Sequence, residues 1–216
     1  MDIARLALAA AVVLLAQDVP RPVLEQHYKT KSAAEMAAWL EQDARPVYRY
    51  RTAIASLLQM KPGMAAAEIG AGSGFVAREL AAQVGPSGTV FAVELEPKMV
   101  AWMGERAKAE RLANFTAVQG KLDATGLEPA SVDGVLMVNT FSYLEQPEAM
   151  LAATAVALQP TGILVIVDFP MEGSGATRAG IDADDVIRMA TAAGFERINE
   201  SSIVPGQYAL RFRKQK

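Results

Sequence analysis

The feature that most constrains the fold is the segment of residues 65–75, which reads AAAEIGAGSGF. A short apolar run is interrupted by Glu68, and Gly70, Gly72 and Gly74 then alternate with other residues before a helix-forming stretch begins. Glycine allows a backbone to turn tightly and to approach a ligand closely, and a helix N-terminus offers free N–H groups. The segment therefore predicts a buried strand, a tight turn and a helix that begins at position 75.

A second apolar run, residues 89–93, ends in Glu94, which follows Gly74 by twenty residues. In a βαβ unit, a carboxylate at the tip of the second strand is placed to accept hydrogen bonds from ribose hydroxyls. The two segments together predict a nucleoside-binding unit, around which the rest of the chain is organised.

Two kinds of protein use such a unit, and the spacing of the glycines separates them. The dinucleotide pattern G-x-G-x-x-G would require glycine at position 75 when counted from Gly70, and Phe75 stands there instead. Glu68 would repel a pyrophosphate, whereas it suits a ligand that carries an ammonium and a sulfonium group. These residues disfavour an NAD-type oxidoreductase, and residues 68–74 (EIGAGSG) resemble the first motif of class I S-adenosylmethionine-dependent methyltransferases.

This resemblance covers residues 60–213 and implies the fold of that family. The expected fold is an α/β, Rossmann-like, seven-stranded methyltransferase sheet, mostly parallel with an antiparallel last strand, with helices on both faces and an N-terminal helical extension. The chain divides accordingly into an apolar, signal-like segment (residues 1–17), a linker with the helical extension (residues 18–60) and the cofactor-binding methyltransferase domain (residues 61–216).

The resemblance also implies the cofactor, S-adenosylmethionine (SAM), with S-adenosylhomocysteine (SAH) as its product. It assigns Glu68 to the methionine ammonium group, with hydrogen bonds to helix N–H groups as the alternative role, and it assigns Glu94 to the ribose hydroxyls. The loop after the third predicted strand would pack against the adenine, with Asp123 or Lys121 near its amino group; the alternative is a solvated turn. The predicted cofactor-binding residues are Glu68, Gly70, Ala71, Gly72, Gly74, Glu94, Leu95, Gly120, Lys121, Leu122, Asp123 and Asn139.

The catalytic end of the site follows the predicted central strand, residues 131–139. Comparable members of the family carry an aspartate and then a Tyr-His-His run here, whereas this chain has Asn139 and then Phe141, Ser142 and Tyr143. The departure removes the carboxylate and the imidazole best suited to act as a general base. Asn139 and Tyr143 remain as candidate catalytic residues. The leading hypothesis is a methyltransferase acting on a small molecule, and the alternative is a SAM- or SAH-binding protein with lost or altered catalysis.

The composition of the chain limits the kinds of ligand and partner that it can bind. The formal net charge of −3 argues against a nucleic-acid-binding surface. Cysteine is absent and His27 is the single histidine, which excludes disulfides, thiolate metal sites and multi-histidine metal sites. The expected partner is a small-molecule substrate, with no metal and no nucleic acid, in a monomer or a homodimer.

The N-terminus carries an eleven-residue apolar run, residues 6–16. The run is too short to span a bilayer comfortably and has the size of a signal-peptide core, which favours export to the periplasm or beyond. An apolar helix packed on the domain is the alternative, and dependence on SAM favours the cytoplasm. No stable membrane span is expected beyond this leader.

The other elements follow from apolar periodicity and from start and stop signals. Residues 18–30 predict an extended linker, and Ser32 with Glu35 predicts a capping box. A turn is predicted at residues 159–162 and a substrate lid at residues 169–181. The remaining predicted helices are residues 32–43, 46–60, 97–112, 147–158 and 182–193, and the remaining predicted strands are residues 115–119, 163–168, 195–203 and 207–213.

Overall fold

A computed structural model describes residues 21–171 and 180–215 of the chain. The predicted apolar leader, residues 1–17, and most of the predicted lid lie outside these described residues. Within the described parts of the chain, no helix is long and apolar enough to cross a membrane.

The described residues form one seven-stranded sheet with the strand order β3-β2-β1-β4-β5-β7-β6. Strands β1 to β5 are parallel, and β7 runs antiparallel to both β5 and β6. The predicted fold class, including the antiparallel last strand, is confirmed. The strands are β1 (Ala65–Ile69), β2 (Thr89–Glu94), β3 (Phe115–Gln119), β4 (Val132–Val138), β5 (Leu158–Asp168), β6 (Phe195–Ser201) and β7 (Tyr208–Lys214).

Helices cover both faces of this sheet. The helices are α1 (Arg21–Thr30), α2 (Ala33–Leu40), α3 (Pro46–Arg49), α4 (Arg51–Ser56), α5 (Phe75–Val84), α6 (Pro97–Ala109), α7 (Pro147–Ala157) and α8 (Ala183–Ala192), with a single 3₁₀ turn at Phe141–Tyr143. One apolar cluster joins α2, α5 and α6 to one face of the sheet, and a second joins α7 and α8 to the other.

Strand β4, in the middle of the sheet, is buried on both faces. Its sequence is nearly all apolar, and five of its seven residues are buried in a row, as expected for a central parallel strand. Gly134 admits the methionine of the extension, because a Cβ there would lie 2.9 Å from Met60 Sδ.

Three predictions about local structure were wrong. Residues 21–30 form a helix and not a linker, because Pro22 lies in its first turn, where a missing N–H is tolerated. The predicted helix 46–60 is broken into α3 and α4 and ends in a turn, with Gln59 in the left-handed region (φ 57°). The predicted turn at 159–162 lies within β5, where the register against β4 shifts.

The predicted capping box of α2 is confirmed. Ser32 Oγ accepts a hydrogen bond from the backbone N–H of Glu35, and the Glu35 carboxylate accepts one from the backbone N–H of Ser32 (2.8 Å). At the start of α8, by contrast, Asp182 occupies the N-cap position without a side-chain hydrogen bond to the helix.

Polar contacts fasten the first two helices of the N-terminal extension to the domain. Lys98 Nζ donates hydrogen bonds to the backbone oxygens of Tyr28 and Lys31, which holds the end of α1. Glu41, at the end of α2, pairs with Arg106 (2.5 Å) and Arg78 (3.5 Å). These contacts place α1 and α2 over the C-terminal edge of the sheet.

Candidate active site

A cavity of about 230 Å³ lies at the C-terminal ends of β1, β2 and β4, beneath the N-terminal extension. This is the edge of a doubly wound sheet at which ligands bind. Most of the sequence-predicted residues come together there: Glu68, Gly70, Ala71, Gly72, Glu94, Leu95, Gly120, Lys121, Leu122, Asn139 and Tyr143 all line the cavity.

The glycine loop after β1 is shaped by close neighbours. Gly70 (φ 73°) and Gly72 (φ 56°) both adopt left-handed backbone conformations, which glycine tolerates best. A Cβ on Gly70 would lie 2.3 Å from a side-chain carbon of Thr140, and one on Gly72 would lie 3.0 Å from Leu40. At these two glycines there is therefore room only for backbone, between Thr140 after β4 and Leu40 of the extension.

Glu94, at the end of β2, is 7% exposed and holds the glycine loop in place. One carboxylate oxygen accepts a hydrogen bond from the backbone N–H of Gly72 (2.8 Å), and the other accepts one from the N–H of Glu96 (3.0 Å). Burial raises the pKa of this carboxyl above its ordinary value, although these backbone N–H groups oppose the shift. Each carboxylate oxygen can accept a further bond, so the group can also meet hydroxyls of a ligand in the cavity.

Glu68, within β1, serves two elements at once. Helix α5 begins after Gly74, which has no side chain to cap it, and Glu68 accepts a hydrogen bond from the third N–H of the helix, that of Ala77 (2.7 Å). The same residue is 2% exposed and lines the cavity. Burial raises the pKa of Glu68 to about 8, and the charge of Glu94 adds to the shift. A perturbed carboxyl at a cavity marks a group that a cationic ligand would ionise.

Gly74 and Asp123 do not line this cavity. A Cβ on Gly74 would lie 2.9 Å from Met103 Sδ and 3.2 Å from Phe115 Cζ, so this glycine permits close packing of the loop against α6 and β3. Asp123 is exposed in the turn after β3, in which the Lys121 N–H donates to the oxygen of Ala124 (3.0 Å). A role for Asp123 at the adenine stays a prediction.

Two leucines form an apolar rim on the β2–β3 side of the cavity. Leu95 is 50% exposed and Leu122 is 39% exposed, so both offer apolar surface at the cavity, which they also line. Gly120 lies between their two loops, and its N–H donates to the backbone oxygen of Glu94 (2.9 Å). Exposed apolar surface beside a cavity is suited to a planar base.

The end of β4 closes the cavity on the other side. Asn139 has a left-handed backbone (φ 48°), and its N–H donates to the oxygen of Val167 in β5 (2.8 Å). The 3₁₀ turn follows at once and brings Tyr143 to the cavity wall. Glu145 also lines the cavity and is exposed.

Sequence reasoning did not identify the residues with which the extension lines the cavity. The lining residues from this part of the chain are Leu24, Tyr28, Trp39, Leu40, Arg45 and Val47. The apolar periodicity of α2 predicted a packing face and carried no sign that Trp39 and Leu40 would face a ligand. Burial raises the pKa of Tyr28, and the negative charge of Glu94 adds to the shift, so this tyrosine stays protonated.

Arg45 is the buried cation of this wall. It is 8% exposed, Nη1 donates to the backbone oxygen of Leu40 (3.0 Å), and the guanidinium lies 4.7 Å from the centre of the Trp39 ring. A guanidinium held in this way is preorganised to bind a carboxylate.

The side chains of the cavity fit an adenosyl sulfonium amino acid. Buried Glu68 and Glu94 can meet an ammonium group and ribose hydroxyls, Arg45 can meet a carboxylate, and the two leucines can flank a base. Among the described residues, no group of three or more histidine, cysteine, aspartate or glutamate side chains could hold a metal ion.

Comparisons with known proteins agree with this geometry. Residues 66–162 match the methyltransferase domain family. The chain is 32% identical over 149 residues to the tRNA (adenine(58)-N(1))-methyltransferase TrmI of Thermus thermophilus, which covers 68% of this chain and 53% of that protein. It is 30% identical over 150 residues to the protein-L-isoaspartate O-methyltransferase of Ignicoccus hospitalis, which covers 69% of this chain and 61% of that protein.

Solved structures show the same fold. A SAM-dependent methyltransferase from Aquifex aeolicus superimposes with a TM-score of 0.74 at 19% identity, over 86% of this chain and all of that one. The phosphoethanolamine N-methyltransferase 2 of Haemonchus contortus, solved in complex with SAM, superimposes with a TM-score of 0.67 at 17% identity, over 78% of this chain and 53% of that one.

The fold, the site and the family match together define the class: residues 66–162 belong to the methyltransferase domain family, and the sheet that contains them has the fold of the solved S-adenosylmethionine-dependent methyltransferases. The resemblance noted in residues 68–74 and the cofactor that it implied are confirmed. The chain spans about half the length of the curated tRNA methyltransferase that it matches.

Proposed function

We propose that this protein transfers the methyl group of S-adenosylmethionine to a small-molecule acceptor. The proposal rests on one observation: the glycine loop, the buried carboxyls of Glu68 and Glu94, and the extension all line the same cavity. The first two parts suit the cofactor, and the extension limits what else can reach it.

The part of the extension that covers the cavity, here called the roof, favours a small acceptor. Tyr28, Trp39 and Leu40 line the cavity from above, and ion pairs and Lys98 fasten their helices to the domain. A bulky acceptor such as a folded RNA would have to displace this roof. The TrmI relative acts on tRNA by its name, but in this chain the cations among the described lining residues are Arg45 and Lys121. A phosphate backbone is normally met by more positive charge than this.

Each lining residue has a role under this proposal. Glu68 binds the ammonium group of the cofactor, Arg45 its carboxylate and Glu94 its ribose hydroxyls. When bound, SAM supplies a methyl group on a sulfonium, which is already activated for transfer. The remaining task of the protein is to align the acceptor with that methyl group at about 3 Å and to exclude water.

The acceptor end offers little general-base chemistry. Residues 139–144 contain neither a carboxylate nor an imidazole, and the ionisable side chains that line the cavity there are Tyr143 and, one residue beyond the stretch, the exposed Glu145. Asn139 and Tyr143 are therefore expected to position an acceptor that is nucleophilic without full deprotonation. This same observation favours a second candidate function, a protein of this family that binds SAM or SAH without turnover.

The test is release of SAH from SAM on incubation with a panel of amine, thiol, phenol and carboxylate acceptors. The proposal predicts acceptor-dependent release by the wild type and its loss in Glu94→Gln. Tight SAH binding without turnover on any acceptor would favour the second candidate. Turnover with tRNA and with none of the small acceptors would contradict the proposal.

A further inference from the structure

Asp168 is a fully buried carboxyl that the cofactor site does not use. It is the last residue of β5, has 0% exposure and is not among the residues that line the cavity. Val167 of β5 pairs with Val138 of β4, so Asp168 lies level with Asn139 at the catalytic edge of the sheet. Burial of a carboxylate costs free energy of folding unless hydrogen bonds compensate for the lost water.

The hydrogen bonds of Asp168 point to one neighbouring segment. Oδ2 accepts a bond from the backbone N–H of Ser142 (3.1 Å), and Oδ1 accepts one from the Ser142 hydroxyl (3.0 Å). Oδ1 also accepts a bond from the N–H of Phe169 (2.9 Å). Within the described residues the carboxyl forms no ion pair, so Ser142 is its main partner. Burial raises the pKa of Asp168 to about 6, against the effect of these bonds.

Ser142 is the middle residue of the 3₁₀ turn Phe141–Tyr143. Inside the turn, the N–H of Tyr143 donates to Thr140 (2.9 Å) and the N–H of Leu144 donates to Phe141 (3.1 Å). One such turn is too short to hold its own shape in water. The buried Phe141 ring and the two bonds to Asp168 fix it from outside.

Ser142 and Asp168 do not line the cavity. The turn and its two flanking residues do reach it, through Thr140, Tyr143 and Leu144. A displacement of the turn would therefore move the acceptor end of the cavity. It would leave Glu68 and Glu94 in place, because both lie on other strands and have other partners. The carboxyl thus acts on the wall of the cavity through a neighbour.

We propose that Asp168 is a positioning residue, which through Ser142 sets the place of the Tyr143 side chain and so the shape of the acceptor subsite. The inference deepens the proposed methyl transfer and rests on it for its catalytic consequence. It applies to a residue outside the 66–162 stretch that matches the family.

The test compares Asp168→Asn, Ser142→Ala and the double variant, with Asp185→Asn as control. Asparagine is isosteric but cannot accept from both the Ser142 N–H and the Ser142 hydroxyl as the carboxylate does. Asp185 is an exposed carboxylate on α8 that pairs with Arg188 (2.8 Å), so its neutralisation changes the charge by the same amount away from the turn.

The first readout is ¹⁹F NMR of protein labelled with 3-fluorotyrosine. The chain has five tyrosines, and Tyr143→Phe assigns the Tyr143 resonance by its disappearance. We expect this resonance to shift or broaden in Asp168→Asn and, less, in Ser142→Ala, with the Tyr48 and Tyr50 resonances unchanged. The double variant should resemble Asp168→Asn, because both substitutions break the same link.

The second readout separates the acceptor from the cofactor. For the acceptor that the wild type methylates, kcat/KM should fall by about 10- to 100-fold in Asp168→Asn, as expected for a misplaced acceptor. The dissociation constant of SAH should stay within about twofold, since the turn carries none of the carboxyls that meet the cofactor.

An unmoved Tyr143 resonance in both folded single variants would overturn the inference, and so would a loss of SAH affinity as large as the loss of kcat/KM. If Asp168→Asn fails to fold, Ser142→Ala alone decides by the same criteria. A wild type without any SAH binding would overturn the proposed function instead, and the NMR comparison would still decide whether Asp168 places Tyr143.

Discussion

The carboxylate of Glu94 accepts a hydrogen bond from the backbone N–H of Gly72 at 2.8 Å, which ties the end of β2 to the glycine loop after β1. The strand that carries this carboxylate and the loop that lines the cavity are therefore held together. A ligand that engages Glu94 meets a loop whose position is already set.

Replacement of Glu94 should affect binding and stability in separable ways. Glu94→Gln keeps an acceptor for Gly72 but loses the charge-assisted bonds to ribose hydroxyls, so SAH affinity should fall by about 10- to 100-fold. Glu94→Ala should also lower the free energy of unfolding by about 1–3 kcal/mol, because the Gly72 N–H loses its partner. Calorimetric titration and urea unfolding measure the two effects. Glu105→Gln, on the exposed face of α6, is the control and should change neither.

The affinity for SAH should depend on pH through Glu68. The pKa of this carboxyl is about 8 without ligand, so at pH 6.5 it is mostly protonated and must release a proton to meet an ammonium group. Affinity should therefore rise with pH from about 6 to 8, by at most tenfold per unit, and level off near pH 8, where Glu68 is already ionised in the ligand-free protein.

The control for this profile is 5′-methylthioadenosine, which has no amino acid moiety. Its affinity should be flat over the same range, and Glu68→Gln should make the SAH profile equally flat. Parallel profiles for the two ligands on the wild type would show that Glu68 does not meet the ammonium group.

Glu68 should also make the stability of the ligand-free protein fall as the pH rises. Its pKa in the folded state, about 8, lies above the ordinary value of 4.5, so the folded protein holds a proton that the unfolded chain has lost. The free energy of unfolding should then fall as pH rises from about 4.5 to 8, by at most about 1.4 kcal/mol per unit from this group.

Glu68→Gln should remove that dependence, because glutamine does not titrate and can still accept the bond from the Ala77 N–H. Urea unfolding at pH 5, 6.5 and 8 should show the variant gaining on the wild type as pH rises. Equal stabilities at pH 8 would mean that the carboxyl is not destabilised by burial.

Arg45 should discriminate between ligands by their carboxylate. Arg45→Gln is expected to weaken SAH binding by about 10- to 100-fold, because a charge-assisted bond to the methionine carboxylate is lost. Binding of 5′-methylthioadenosine, which has no carboxylate, should be unchanged. Arg49→Gln is the matched control, since Arg49 donates to the backbone oxygen of Asp43 (3.0 Å) and does not line the cavity. An equal loss for both ligands in Arg45→Gln would assign Arg45 to the shape of the roof.

The sheet could be predicted well from the sequence because its signals are local. Apolar runs, a glycine loop and the helix-opening Pro97 and Pro147 mark strands and helices within a few residues. The errors lie where tertiary contacts decide the backbone. Residues 159–162 look like a turn by composition, yet pairing across a register shift draws them into β5.

The meeting of Glu68, Glu94 and the glycine loop at one cavity could be predicted for a different reason. Glu68, Glu94 and the glycines lie in one βαβ unit, whose geometry is fixed by its own connections. The residues that form the roof could not be predicted, because Trp39 and Arg45 lie in the extension, whose docking depends on ion pairs with α5 and α6. Asp168 looked like an ordinary strand end, and its link to Ser142 spans 26 residues of sequence.

The most direct test of the account is titration of the wild-type protein with SAH, followed by calorimetry and thermal unfolding, with NAD as the comparison ligand. We predict saturable binding of one SAH per chain. SAH at about 100 times its dissociation constant should add about 2.7 kcal/mol to the free energy of unfolding, and thus raise Tm by several degrees. No heat and no shift with SAH or SAM, or an equal shift with NAD, would contradict the assignment of the cavity to the adenosyl cofactor.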